Sequence, residues 1–239
     1  MNFNVTKCSV LHFGYNNPKY EYVMDGRNLN CKEEEKDLGV YVNTSMKFSK
    51  QCAESVKKAN KVIGMIKRNF VNFEREVMLN LYKSLIRPHL DYAIQVWKPY
   101  LRKDIILMEN VQRRMTKLIT GMKHKTYEER LGELNLMTLE QRHNRQDMLT
   151  FYNIINGNIN INLEGIIDMP ENGTTRGNSR KIRPKHTRLE VRRNSYFNRI
   201  WKIWNKLPKE VVTAKSVNEF KSKIQKQRIF KGRQASYPY

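Results

Sequence analysis

Acidic side chains are scarce in this sequence. Its 239 residues carry 23 Asp and Glu against 45 Lys and Arg, a formal net charge of +22. The aspartates, at positions 25, 37, 91, 104, 147 and 168, are isolated from one another. An adjacent pair, which could align two metal ions on a phosphate, is missing. Cysteine is scarce too. Cys8, Cys31 and Cys52 are odd in number and widely spaced, which fits reduced intracellular thiols and not a disulfide framework. No apolar stretch approaches the length of a membrane span. No basic start followed by an apolar run marks a signal peptide. The expected setting is intracellular, nuclear or cytoplasmic, with no membrane partner. A glycine-rich phosphate loop, HExxH, paired CxxC and GxSxG are all absent, and the five histidines are scattered. No catalytic residue, metal ligand or cofactor is expected.

What is present is enough for a core and a strong field. Hydrophobic residues make up 39% and aromatics 10%, which argues against wholesale disorder. The length accommodates one large domain or two small ones. The charge is uneven. Residues 172–239 hold 19 Lys and Arg against 3 Glu, and the first 171 hold 26 against 20. A field this concentrated favours a polyanionic partner, nucleic acid first and an acidic membrane surface second.

The first 48 residues read as short strands. Val5–Phe13 and Tyr20–Met24 are rich in β-formers, and Asp25-Gly26 is a hairpin signal because both positions tolerate positive φ. Asp37–Val42 reads as a further strand, so a small antiparallel sheet of three or four strands is expected. Helices follow. Behind Ser49 as N-cap, Cys52, Val56, Ala59, Ile63, Ile66 and Phe70 form one apolar seam. Lys57, Lys58, Lys61, Lys67 and Arg68 lie opposite. Phe73–Arg87 continues helical, with Val77, Leu81 and Leu85 in line. Pro88 ends or kinks it and opens the next segment, whose stripe is Leu90, Ala93, Ile94 and Trp97. His89 has no partner at metal-ligand spacing, and Asp91 suits a helix start.

Asp104 then caps a helix with Ile105, Met108, Val111, Met115 and Leu118 inside and Gly121 as the stop. Gln112, Arg113, Arg114 and Lys117 form its polar side, the best phosphate-contact cluster in the first half. Thr126 with Glu129 and Thr138 with Gln141 are capping boxes opening two more helices, the second reaching Ile155 and stopping at Gly157. A polar stretch from Asn156 to about Ser179 reads as a linker. Between Arg176 and Arg193 stand eight basic residues and one acid. Guanidinium forks suit phosphate. Phe197, Ile200, Trp201, Trp204 and Leu207 follow at helical spacing, more in keeping with a core than a stacking platform. Ser216 with Glu219 opens a final helix.

Several of these blocks together carry a resemblance. LYKSLIRPHLDYAIQVW, KPYLRKDI and LMENVQRRMTKLITG, from Leu81 to Gly121, resemble the region behind the catalytic palm of non-LTR (LINE-type, jockey-like) retrotransposon reverse transcriptases. FNVTKCSVLHFG resembles the palm's motif D, and EEEKDLGVYV resembles motif E, the primer-grip hairpin. WNKLPKEVVTAKSVNEFK is similar to the closing segment of that reading frame. The resemblance extends over nearly all 239 residues. It implies that Lys7 matches the lysine proposed to assist the leaving pyrophosphate, and that Leu38 and Gly39 sit at the centre of a primer-grip-like hairpin. The family's catalytic blocks lie ahead of motif D and have no counterpart in these residues. The resemblance therefore implies a non-catalytic fragment and not a polymerase.

The expected fold is mainly α: a helical thumb-like bundle with a small N-terminal antiparallel β-sheet. The expected divisions are a palm-edge segment at 1–48, a thumb-like domain at 49–157, a basic linker at 158–194 and a C-terminal helical segment at 195–239. The expected function is to clamp the backbone of an RNA–DNA or RNA duplex. The nominated contacts are Lys57, Lys61, Arg68, Arg113, Arg114, Arg180, Lys181, Arg183, Arg192 and Arg193. Three other readings stay open: a retrotransposon relic without function, half of a split polymerase with a palm-containing partner, and a protein-interaction module using Trp201 and Trp204.

Overall fold

In the computed structural model of the chain, residues 4–14, 16–168 and 180–227 are described. The fold is mainly α, with short strands near the N-terminus. Strands β1 (Ser9–Val10) and β4 (Asn30–Cys31) pair in parallel, β2 (Val23–Met24) pairs antiparallel with β3 (Arg27–Asn28), and β5 (Glu34–Asp37) pairs antiparallel with β6 (Val40–Asn43). The single sheet expected from sequence is thus three separate ribbons. Val5–Lys7 is a 3-10 turn instead of a strand. Asp25-Gly26 forms the expected turn, with φ of 50° and 70°. Asp37–Val42 is not one strand. Leu38 and Gly39, at φ 43° and 86°, make a two-residue turn between β5 and β6. Leucine hides that turn from residue propensities, because β-carbon sterics disfavour positive φ and the usual occupant is Asn or Gly; the motif resemblance alone set Leu38 and Gly39 at a hairpin centre.

Helix α1 (Ser49–Asn69) follows its predicted seam: Cys52, Val56, Ala59, Ile63 and Ile66 are buried. Phe70 falls beyond the helix and is exposed. Ser49 does not cap. Its hydroxyl donates to Asp104 Oδ2 at 2.6 Å, so Asp104 is not a cap either but a buried residue in the first turn of α5 (Arg102–Leu118).

The next helix runs through Pro88. It comprises α2 (Arg75–Leu81), a π-helical stretch Tyr82–Ile86, and α3 (Arg87–Asp91). The buried line is Met78, Tyr82, Ile86 and Leu90, whereas Val77 and Leu85 are exposed. Three α-turns advance about 10.8 residues, so a strict four-residue repeat drifts off one face. One π-turn adds about one residue and brings the repeat back into line. The same widening precedes Pro88, which lacks an N–H and would crowd the carbonyl one turn earlier in a regular helix. The break comes later, at Tyr92 and left-handed Ala93 (φ 51°), before α4 (Ile94–Trp97).

In α5, Met108, Val111 and Met115 are buried as expected. Both capping boxes hold: Thr126 and Glu129 start α6 (Tyr127–Leu134), and Thr138 and Gln141 start α7 (Leu139–Ile155). Each satisfies two otherwise orphaned N–H groups. The remaining helices are α8 (Glu190–Arg193), α9 (Tyr196–Trp204), α10 (Lys209–Val212) and α11 (Val217–Gln225). Ser216 accepts from the Glu219 N–H at 3.1 Å, but Glu219 accepts from the N–H of Lys215, not Ser216, so this box is half-formed.

The buried residues form two clusters. The first gathers Val40, the seams of α1, α3 and α5, Trp97, Leu134 and Leu139. The second gathers Met148, Phe151 and Tyr152 with Ile182, Ile200, Trp204, Leu207, Phe220 and Ile224. Helix α7 contributes its first residue to one and its second half to the other. Trp204 is fully buried against Phe151 and Phe220, so it serves the core. Among the described residues no helix is long and apolar enough to cross a membrane.

Candidate nucleic-acid interface

Residues 57, 61, 64 and 68 follow one another at spacings of four, three and four, which places them on one stripe of α1 beside its buried seam. In the structure this stripe lines an open groove of about 750 Å³. Lys57, Lys61 and Arg68 stand exposed along it, with Ala53, Val56, Asn60 and Gly64 between them and Leu107 of α5 across from them. Arg114 joins from α5: its Nη1 donates to Asn60 Oδ1 at 2.8 Å. Four of the nominated cations therefore meet at one place, on two packed helices. The lining contains no carboxylate. Glu54 lies 3.7 Å from Lys57 on the same helix, an exposed pair of little energetic weight.

The other nominated residues are elsewhere or otherwise employed. The Arg113 guanidinium stacks on the Tyr127 ring, 4.1 Å from its centroid. Gln112 belongs to no polar surface. It is buried, accepts from the Tyr82 hydroxyl, and donates to Tyr127 Oη at 2.8 Å and the Met137 carbonyl at 2.9 Å. Arg180 is half-buried and donates to Asn156 Oδ1 at 2.9 Å. Its carbonyl accepts from Trp204 Nε1 at 2.7 Å, and Asn205 brackets Ile182, so 180–182 is tied to the end of α9. Lys181 is half-buried beside it. Arg183 is exposed, and its N–H donates to the Asp168 carbonyl at 2.8 Å. Arg192 and Arg193 stand exposed on α8. Arg176, which opens the basic run, lies outside the described residues.

The β5–β6 turn at Leu38 and Gly39 docks on the protein itself. The Tyr92 hydroxyl donates to the Leu38 carbonyl at 2.8 Å, and a β-carbon at Gly39 would touch the Tyr92 ring at 3.5 Å. Lys7 is exposed in the 3-10 turn.

Three buried polar networks escaped the sequence reading. Asp147 accepts from Lys98 Nζ at 2.9 Å and, in a fork, from Arg199 Nε at 3.0 Å and Nη2 at 2.8 Å. Burial pulls the Lys98 ammonium below its usual pKa, against the attraction of Asp147. Asp91 ends α3 instead of starting a helix. It accepts from Arg142 Nε at 2.7 Å and lies 3.2 Å from His143 Nε2. Burial alone would raise the Asp91 pKa, but these two neighbours outweigh it and hold it low. Glu109, buried beside Tyr127, accepts from the Leu139 N–H at 2.9 Å; desolvation pushes its carboxyl up to about 6. No three His, Cys, Asp or Glu side chains converge as a metal site among the described residues.

Comparison with protein-family models, curated proteins and solved structures returned no match.

Proposed function

We propose that the chain is a non-catalytic nucleic-acid-binding protein that holds the sugar-phosphate backbone of an RNA–DNA or RNA duplex without strong sequence preference. The observation that carries this reading is the α1 groove, where Lys57, Lys61 and Arg68 line one open concavity and Arg114 flanks it. From residue 57 to 68 the helix rises about 16 Å, roughly five base-pair steps of a duplex axis. Cations spaced along that length can contact successive phosphates, and phosphate contacts position a protein without reading sequence. The net charge of +22 adds long-range attraction. The resemblance of the sequence to the thumb and C-terminal region of non-LTR retrotransposon reverse transcriptases supports the choice of duplex. It also makes a palm-containing polymerase half a candidate partner in the nucleus or cytoplasm.

The test is binding of a labelled RNA–DNA primer–template, compared with single-stranded RNA, across a salt series. Neutralising about six phosphates gives a log–log slope near −5 on duplex. The expected result is that slope, with the hybrid bound at least as well as the single strand. A shallow slope with weak affinity would reduce the charge to a solvated surface and end this reading.

A further inference from the structure

A second cavity, of about 300 Å³, lies where the two cores meet. Its walls include Val96, Tyr100, Ile154, Ile161, Tyr196 and Phe197. This volume is at the lower end of ligand pockets, which run to about 1,000 Å³. It suits one planar ring system and its sugar, not a large ligand.

The polar groups on the wall are engaged, with one exception. Gln95 donates to Thr150 Oγ1 at 3.1 Å, Lys98 is held by Asn144 at 2.6 Å and Asp147 at 2.9 Å, and the Tyr196 hydroxyl donates to the Asp147 carbonyl at 3.0 Å. Asn194 and Ser195 donate to the carbonyls of Glu190 and Arg192, at 2.9 and 2.8 Å. The Tyr100 hydroxyl is buried and finds no partner among the described residues. A buried hydroxyl left unsatisfied costs free energy, and a ligand acceptor would remove that cost. Burial raises its pKa, and the nearby carboxylates of Glu190 and Asp104 push it the same way.

Helix α8 borders the cavity and carries two arginines. Val191 and Asn194, three residues apart, bring α8 to the wall. Between them Arg192 and Arg193 are exposed, with Glu190 the one acid of that helix. Aromatic walls beside arginines are the combination that holds unpaired bases: rings stack on the base and cations hold the flanking phosphates.

We infer that this cavity accepts one unpaired nucleobase of a bound strand, stacked among Tyr100, Tyr196 and Phe197, with Arg192 and Arg193 on the adjoining phosphates. The inference rests on the nucleic-acid reading above and adds to it a single-stranded nucleotide next to the duplex.

The experiment titrates the full chain with adenosine 5′-monophosphate and, separately, ribose 5-phosphate, following heat release. Stacking makes the nucleotide the tighter ligand by about tenfold or more. Val96→Trp, which fills the cavity from an exposed position without altering charge, abolishes that preference while circular dichroism and melting stay unchanged. Tyr100→Phe, a smaller change available should the first variant misfold, weakens the nucleotide about two- to tenfold and leaves ribose 5-phosphate alone. Equal binding of the two phosphates, or a preference that survives Val96→Trp, overturns the base pocket. The two proposals fail separately. Steep, salt-dependent hybrid binding without a nucleotide preference removes the pocket alone. A Val96-dependent preference without hybrid binding removes the duplex reading alone.

Discussion

Arg199 grips Asp147 with two nitrogens, at 3.0 and 2.8 Å, and the same guanidinium donates to the Gln95 carbonyl at 2.9 Å. One side chain of α9 therefore bonds to α7 and to the backbone of α4, across the join between the two cores. Lys98 completes the group by donating at 2.9 Å to Oδ2, the oxygen that also accepts from Arg199 Nε. A buried carboxylate with two cations is costly to assemble but far more costly to break, because a lost partner leaves uncompensated charge. Asp147→Ala should destabilise the protein by about 3–5 kcal/mol. Urea titration is the measurement. Single-tryptophan variants retaining Trp97 or Trp204 would report the first and second core separately, and the loss of coincident midpoints is expected in Asp147→Ala.

Glu109 makes stability depend on pH. Its carboxyl titrates near 6 in the folded chain against an ordinary 4.5, because desolvation disfavours the anion. A folded-state pKa raised in this way adds stability below about pH 4.5 that is lost as pH rises through about 6. The size is about 2 kcal/mol. Glu109→Gln removes this term. Relative to the parent it should gain about 2 kcal/mol between pH 4 and pH 7. Denaturation at four pH values reads that difference, and a flat difference would show that Glu109 is not the titrating group.

The β5–β6 turn carries a leucine where its backbone favours another residue. Leu38 has φ of 43° and an exposed side chain. Leu38→Asn should stabilise by about 1 kcal/mol, since Asn tolerates the left-handed region better. Gly39→Ala should destabilise by about 1–2 kcal/mol at its φ of 86°. Thermal melts distinguish the two signs. Both changes leave the Leu38 carbonyl in place for Tyr92.

The groove predicts different consequences for neighbouring cations. Replacing Lys57, Lys61 and Arg68 together by Ala removes three phosphate contacts. The salt slope on a duplex should then flatten by about 2.7, with the melting temperature little changed. Arg113→Ala should instead cost stability, about 0.5–1 kcal/mol, through loss of its stacking on Tyr127. Filter binding at five salt concentrations, paired with melting curves, separates the two groups. A slope unaltered by the triple change would place the contacts away from α1.

Much of the helical fold is legible in the sequence because its signals are local. The seam of α1, the buried stripe of α5 and the boxes at Thr126 and Thr138 all concern residues three or four apart. Signals that mislead are those with a distant partner. Ser49 looks like a cap, yet its hydroxyl serves Asp104, 55 residues away. Asp91 looks suited to a helix start, yet it ends a helix and meets Arg142 and His143. Gln112 sits in a polar run with Arg113 and Arg114, yet its partners Tyr82, Tyr127 and Met137 come from three other segments and bury it. The spacing of Lys57, Lys61 and Arg68 is visible in the chain, but the approach of Arg114 to Asn60 is not.

The sequence by itself determined that the chain is mainly helical and strongly basic, and which faces of its long helices are apolar. These properties follow from composition and from the 3.6-residue period. Only the tertiary structure decided that one stripe of α1 would line a groove with α5, and that Asp147 would bind Lys98 and Arg199. It also decided that the Tyr100 hydroxyl would be buried without a partner among the described residues. Each depends on side chains tens of residues apart meeting at hydrogen-bond distance, and no local spacing encodes such a meeting.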